Sequence, residues 1–130
     1  MVHIVNAREY RFFVVGSAIS FRSPLAKRYK RRVRRAAAPC LPEVPIDQPV
    51  ELRLDYFHAR KRRCDMDNVA KCVLDALNGV AYVDDQLACI QSATAHDLRN
   101  RAYIHGGPVD LVKPLRRHKD YLFVRIRLAG

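Results

Sequence analysis

The sequence predicts an α+β fold, a single domain over residues 1–130 in the order β-α-β-α-β-β, with two helices packed on a mixed sheet. Three observations carry that expectation. Glu9–Val15, Val50–His58 and Tyr121–Leu128 are dense in aromatic, β-branched and alternating apolar residues, the pattern of strands. Two stretches between them place apolar residues at helical spacing after a capping signal. The length of 130 residues suits one hydrophobic core.

The first strand, E-Y-R-F-F-V-V, stops at Gly16-Ser17. Ser23 is placed to cap a helix whose first position is Pro24. Over residues 25–38 this helix spaces Leu25, Tyr29, Val33 and Ala36 as a thin apolar stripe. It also holds seven basic residues in nine positions, Lys27, Arg28, Lys30, Arg31, Arg32, Arg34 and Arg35. A run of like charges is often only a solvated face, but no acid pairs these, which favours a phosphate-binding helix. Residues 39–49 contain four prolines and read as a connector.

In the second strand Val50, Leu52, Leu54 and Tyr56 alternate with Glu51, Arg53, Asp55 and Phe57. A basic loop of Arg60, Lys61, Arg62 and Arg63 follows, and the second helix is expected to start at a cap on Asp67 or Asn68 and to end near Leu77 with Asn78-Gly79 as its stop. At 100° per residue, Asp67, Lys71 and Asp75 fall within about 80° on one face, opposite Val69, Val73, Ala76 and Leu77. Residues 86–94 read as the third strand and residues 97–119 as an irregular surface excursion. The last strand turns Leu122, Val124, Ile126 and Leu128 inward and Arg125 and Arg127 outward.

Charge narrows the partner. Twenty-four Lys+Arg against thirteen Asp+Glu leave a net +11, and eighteen of the cations are arginine, whose planar fork matches phosphate oxygens. Such a balance attracts a polyanion, nucleic acid ahead of an acidic membrane surface. No apolar run reaches the ~20 residues of a membrane span, and the N-terminus lacks a secretory pattern. The four cysteines, Cys40, Cys64, Cys72 and Cys89, have no C-x-x-C spacing and read as reduced, mostly core thiols of a cytoplasmic protein. The histidines lack zinc-ligand spacing, and phosphate-loop, dinucleotide and nucleophile-elbow motifs are absent.

Against this basic background, residues 65–85 hold five acids and one base. Asp65 and Asp67 precede the second helix, and Asp84-Asp85 sit on the loop after it. Two explanations compete: helix and turn capping, or carboxylates that converge on a cation. With a helix about ten residues long that packs back on the sheet, the loop is expected to return to the same end. Three carboxylates from two segments then converge there, the reading favoured over capping. An oxygen-only donor set selects Mg²⁺ or Mn²⁺, the ions suited to in-line phosphodiester displacement. Lys71, one turn from Asp67, is placed to neutralise charge on the phosphate.

The stretch R-R-C-D-M-D-N-V-A-K-C-V-L-D-A-L-N-G with V-D-D after it resembles the signature of the RusA-type crossover junction endodeoxyribonucleases, over about a fifth of the chain. The resemblance implies a Mg²⁺-dependent homodimer (Mn²⁺ also fitting) that resolves Holliday junctions by paired symmetric nicks, in the nucleoid of a bacterium or from a phage. It implies Asp65, Asp67 and Asp85 as metal carboxylates with Asp84 beside them, Lys71 as the catalytic lysine, and Asn68 and Asp75 as site-shaping neighbours. The basic helix and the Arg60 to Arg63 loop would then bind DNA. The contrasting expectation is a non-enzymatic basic nucleic-acid-binding protein whose acids are only caps.

Overall fold

In the computed structural model, the described residues are 9–19, 23–58, 65–97 and 120–129. Arg60, Lys61, Arg62, Arg63, Cys64 and residues 98–119 lie outside them. The described elements are β1 (Glu9–Val15), α1 (Ala26–Ala37), β2 (Val50–His58), α2 (Met66–Leu77), β3 (Ala88–Asp97) and β4 (Tyr121–Leu128), with short 3-10 turns at Ala38–Cys40 and Asp85–Leu87. This is the expected order.

The four strands form one mixed sheet in the spatial order β1-β4-β2-β3. β4 runs antiparallel to both β1 and β2, pairing Phe12 with Val124 on one side and Leu54 with Val124 on the other. β2 and β3 are parallel, from Val50 opposite Ala88 to His58 opposite Asp97. A register shift between Val50 and Glu51 accompanies their start. Parallel neighbours need a crossover, and α2 supplies it.

Both helices cover one face of the sheet. Phe12, Val14, Leu52, Leu54, Tyr56, Leu122, Val124 and Ile126 point from it into a core shared with Tyr29 and Val33 of α1 and Val69, Val73, Ala76 and Leu77 of α2. The buried stripe of α1 is Ala26, Tyr29, Val33 and Ala37, while Leu25 is half exposed at 50%. The stripe expected from Leu25 and Ala36 is thus displaced by one residue at each end, because α1 starts after Leu25. Ser23 serves the preceding turn: its Oγ accepts from the Leu25 amide at 3.1 Å.

The opposite face departs further from the alternating pattern. Arg125, expected outward, is buried and donates from Nη2 to Asp55 Oδ2 at 2.9 Å, while His96 Nε2 lies 2.8 Å from Asp55 Oδ1. Phe57 stacks between the His96 ring at 4.6 Å and the Tyr121 ring at 4.8 Å, and Phe13 stacks on Phe123 at 4.9 Å. Asp55 is tolerated here because its charge is met by a guanidinium and an imidazole. β3 begins two residues later than expected and runs on to Asp97.

The β1 end is fixed by Gly16, whose φ of +108° few other residues adopt. A Cβ there would lie 2.5 Å from Arg32 Nη1, which also donates to the Val15 carbonyl at 3.4 Å. Of the cysteines expected mostly in the core, Cys72 is buried, but Cys40 on the proline-rich connector and Cys89 at the start of β3 are exposed, and all three are free. No described helix is long and apolar enough to cross a membrane.

Candidate active site

The acids divide between the two ends of α2. At its N-terminus Asp65, not Asp67 or Asn68, is the cap: Oδ1 accepts from the amides of Asp67 at 3.1 Å and Asn68 at 3.4 Å, and Oδ2 accepts from Asn68 Nδ2 at 2.7 Å. The C-D-M-D-N run offers three capping residues, and the first satisfies two otherwise orphaned amides. Asp67 then falls in the first turn, exposed, where the positive end of the helix dipole favours its charge. Lys71 follows one turn later, also exposed. On the buried side, burial pushes the Cys72 thiol above its ordinary value, with Lys30 opposing and Asp75 adding to the rise. That suits packing rather than nucleophilic chemistry.

At the other end, Asn78 and Gly79 terminate α2, Gly79 with φ +79°. The chain then makes a turn held from two sides. Tyr82, fully buried, donates its hydroxyl to the Leu74 carbonyl at 2.9 Å. Ile46 of the proline-rich connector donates to Ala81 and accepts from Val83, each at 2.9 Å. The connector is therefore a prop for the loop that presents Asp84 and Asp85. Asp84 Oδ1 accepts from the Gln86 amide at 2.9 Å and starts the 3-10 turn. Partial burial pushes the Asp85 carboxyl up, reinforced by its hydrogen bond with Asp84 and by the charges of Asp84 and Asp75.

The loop does not return to the N-terminal end of α2. β2 and β3 are parallel and α2 is the crossover between them, so α2 runs back along the sheet. Asp65 and Asp67 stand by the end of β2, and Asp84 and Asp85 stand by the start of β3. Ten residues of helix separate Asp65 from Asp75, about 15 Å at 1.5 Å per residue. Among the described residues, no three His, Cys, Asp or Glu side chains gather closely enough in one protomer to hold a metal ion. The topology puts Asp84 and Asp85 at the end of α2 that carries Asp75, whose charge acts on Asp85, and Asp65, Asp67 and Asn68 at the other end, as two half-sets.

α1 lies against α2 and meets its C-terminal half. Lys30 Nζ pairs with Asp75 Oδ2, and Arg34 Nε donates to the Ala76 carbonyl at 2.9 Å, in the last turn of α2. Both cations belong to the run expected to bind phosphate, yet each also holds α2. The signal for a second role is their spacing of four, which puts them on the same flank of α1. Lys27, Lys30, Arg31 and Arg34 line one cleft beside Asp75, whereas Arg28, Arg31, Arg32 and Arg35 line another. Arg60, Lys61, Arg62 and Arg63 lie outside the described residues.

A family model described as endodeoxyribonuclease RusA matches residues 6–105. That span includes β1, α1, β2, α2, both carboxylate half-sets and β3. No curated protein matches the chain.

Proposed function

The chain belongs to the endodeoxyribonuclease RusA family, the crossover junction resolvases, and from that premise we propose that it cuts Holliday junctions with paired symmetric nicks, as a homodimer, using Mg²⁺ held between two protomers. The observation that carries this reading is the separation of the carboxylates to opposite ends of a crossover helix. One protomer offers two incomplete half-sets. A two-fold axis that sets the α2 N-terminus of one copy against the Asp84-Asp85 loop of the other completes two sites at once. Two strands of a four-way junction need two such sites.

The donor set fits a hard divalent cation. Asp65, Asp67, Asp84 and Asp85 offer oxygen only, and a positive charge would offset the desolvation and the neighbouring acids that raise Asp85. These four would hold the ion, which when bound polarises the scissile phosphate and lowers the pKa of a water. Asp65 is kept in one orientation by its two amide donors and Asn68 Nδ2. Lys71 supplies positive charge to a non-bridging phosphate oxygen. The α1 cations and the Arg60 to Arg63 loop collect the flanking backbone. The expected action within the cell is on the bacterial or phage chromosome, in the cytoplasm. Capping by Asp84 and the pairing of Asp75 with Lys30 leave Asp85 without a structural role of this kind.

The test is subunit complementation. Asp67→Asn and Asp85→Asn protomers are each expected to be inactive on a junction. Mixed, they form dimers in which one of the two shared sites is wild type throughout, restoring single-strand nicks at about a quarter of the wild-type rate. An inactive mixture, with subunit exchange verified by native mass spectrometry, overturns the shared site. Cleavage that persists in EDTA overturns the metal.

A further inference from the structure

Asp75 is the one acid of α2 that faces α1, and it does so from the wall of a cleft of about 500 Å³ otherwise lined by Lys27, Lys30, Arg31 and Arg34. Four cations around one carboxylate leave a large excess of positive charge. We propose that this cleft between α1 and α2 is a subsite for a single DNA backbone phosphate, and that Asp75 is a built-in competitor that occupies Lys30 until the phosphate arrives. The inference rests on the reading of the chain as a DNA-cutting enzyme and goes on to say where one phosphate is held and what it displaces.

Three features support it. The cations sit at positions 27, 30, 31 and 34, one flank of a single helix, so a rigid element fixes their spacing. The flank is anchored, because Arg34 Nε donates to the Ala76 carbonyl at 2.9 Å and holds α1 against α2. The remaining groups of its guanidinium fork and those of Arg31 suit a bidentate hold on phosphate oxygens. Finally, Lys30 is paired with a carboxylate that is itself half exposed, at 47%, and so open to replacement by a phosphodiester, whose single charge equals the carboxylate's but whose two non-bridging oxygens can engage several cations of the cleft at once. The second row, Arg28, Arg31, Arg32 and Arg35, forms a smaller and wholly basic groove of about 210 Å³. Arg32 of that row is held by the Val15 carbonyl.

The competitor role gives the experiment its sign. Binding of the full-length protein to tetrathymidylate is measured in EDTA, so that no metal contributes. Asp75→Asn is expected to tighten binding three- to tenfold. Glu43→Gln, the same change of charge on the exposed connector, should alter it less than twofold. Lys27→Gln should weaken binding three- to tenfold, while its neighbour Arg28→Gln, outside the cleft, should have a smaller effect. Circular dichroism melts report whether each variant is folded, and Asp75→Ser provides a second substitution at the key position. Weaker or unchanged binding by both Asp75 variants, or equal losses from Lys27→Gln and Arg28→Gln, overturns the proposal. Junction nicking with Mg²⁺ is scored separately on the wild type. Nicking with the wrong sign at Asp75 defeats the subsite alone, and the right sign without nicking defeats the enzymatic reading alone.

Discussion

The two ends of α2 carry acids in opposite electrostatic settings. Asp65 and Asp67 occupy the N-terminus, where amides and the positive end of the dipole stabilise negative charge without help from another element. Asp75 stands in the C-terminal turns with Asp84 and Asp85 close by, where the dipole is unfavourable and the carboxylates repel one another. The second end is held by cations from α1, Lys30 on Asp75 and Arg34 on the Ala76 carbonyl. One half-set is therefore stable by local geometry alone, and the other depends on a partner helix. Identical residue types at the two ends should answer differently to substitution.

The largest effect expected is on activity and is shared by the two ends. Asp67→Asn and Asp85→Asn should each lower junction nicking at least ~100-fold, measured at saturating Mg²⁺, while junction binding in Ca²⁺ stays within a few fold. Stability should separate them. Asp85→Asn removes repulsion and should leave the thermal midpoint in EDTA unchanged or raised, whereas a drop would break the comparison. Asp65→Ala, by contrast, strips the cap and should cost about 1 kcal/mol in urea unfolding. A smaller loss, about 0.5 kcal/mol, is expected for Arg34→Ala, an exposed donor at a helix C-terminus. The smallest effect is one of pH. Asp85 is raised in the folded state, so the folded protein takes up its proton first, and its penalty fades as pH falls through that raised value toward the ordinary ~4. The stability advantage of Asp85→Asn in EDTA should then be present near neutrality and shrink toward pH ~4, with a constant difference counting against it.

Much of the framework was legible because it rests on local pattern. β1, β2 and β4 begin and end where alternation and turn residues place them. Pattern alone points to Asp67 or Asn68 as the cap of α2, but three capping residues stand within four positions, and only backbone geometry decides for Asp65. The parity of its strand turns Arg125 away from the helices, and that parity is right. What no periodicity announces is a second buried layer, in which Asp55 on a neighbouring strand receives that guanidinium. The chemistry-bearing acids could be picked out by type and spacing, but their grouping could not, since it depends on the direction of β3. The β2-α2-β3 order did hold a clue: a helix that links adjacent strands usually makes them parallel and separates its own two ends.

The position of β4 bears on how the molecule comes into being. β4 is the last of the described strands in chain order, yet it lies inside the sheet and, among the described residues, is the sole neighbour of β1. Glu9 pairs with Arg127, so β1 must wait for more than a hundred further residues before it finds a partner. Such distant pairing slows folding. On the ribosome, the unit formed by β2, α2 and β3 can assemble early while β1 stays unpaired, and the sheet closes only after residue 128 clears the exit tunnel. A chain released short of β4 has no route to the native sheet, and its arginine-rich helix would remain attached to an incomplete core.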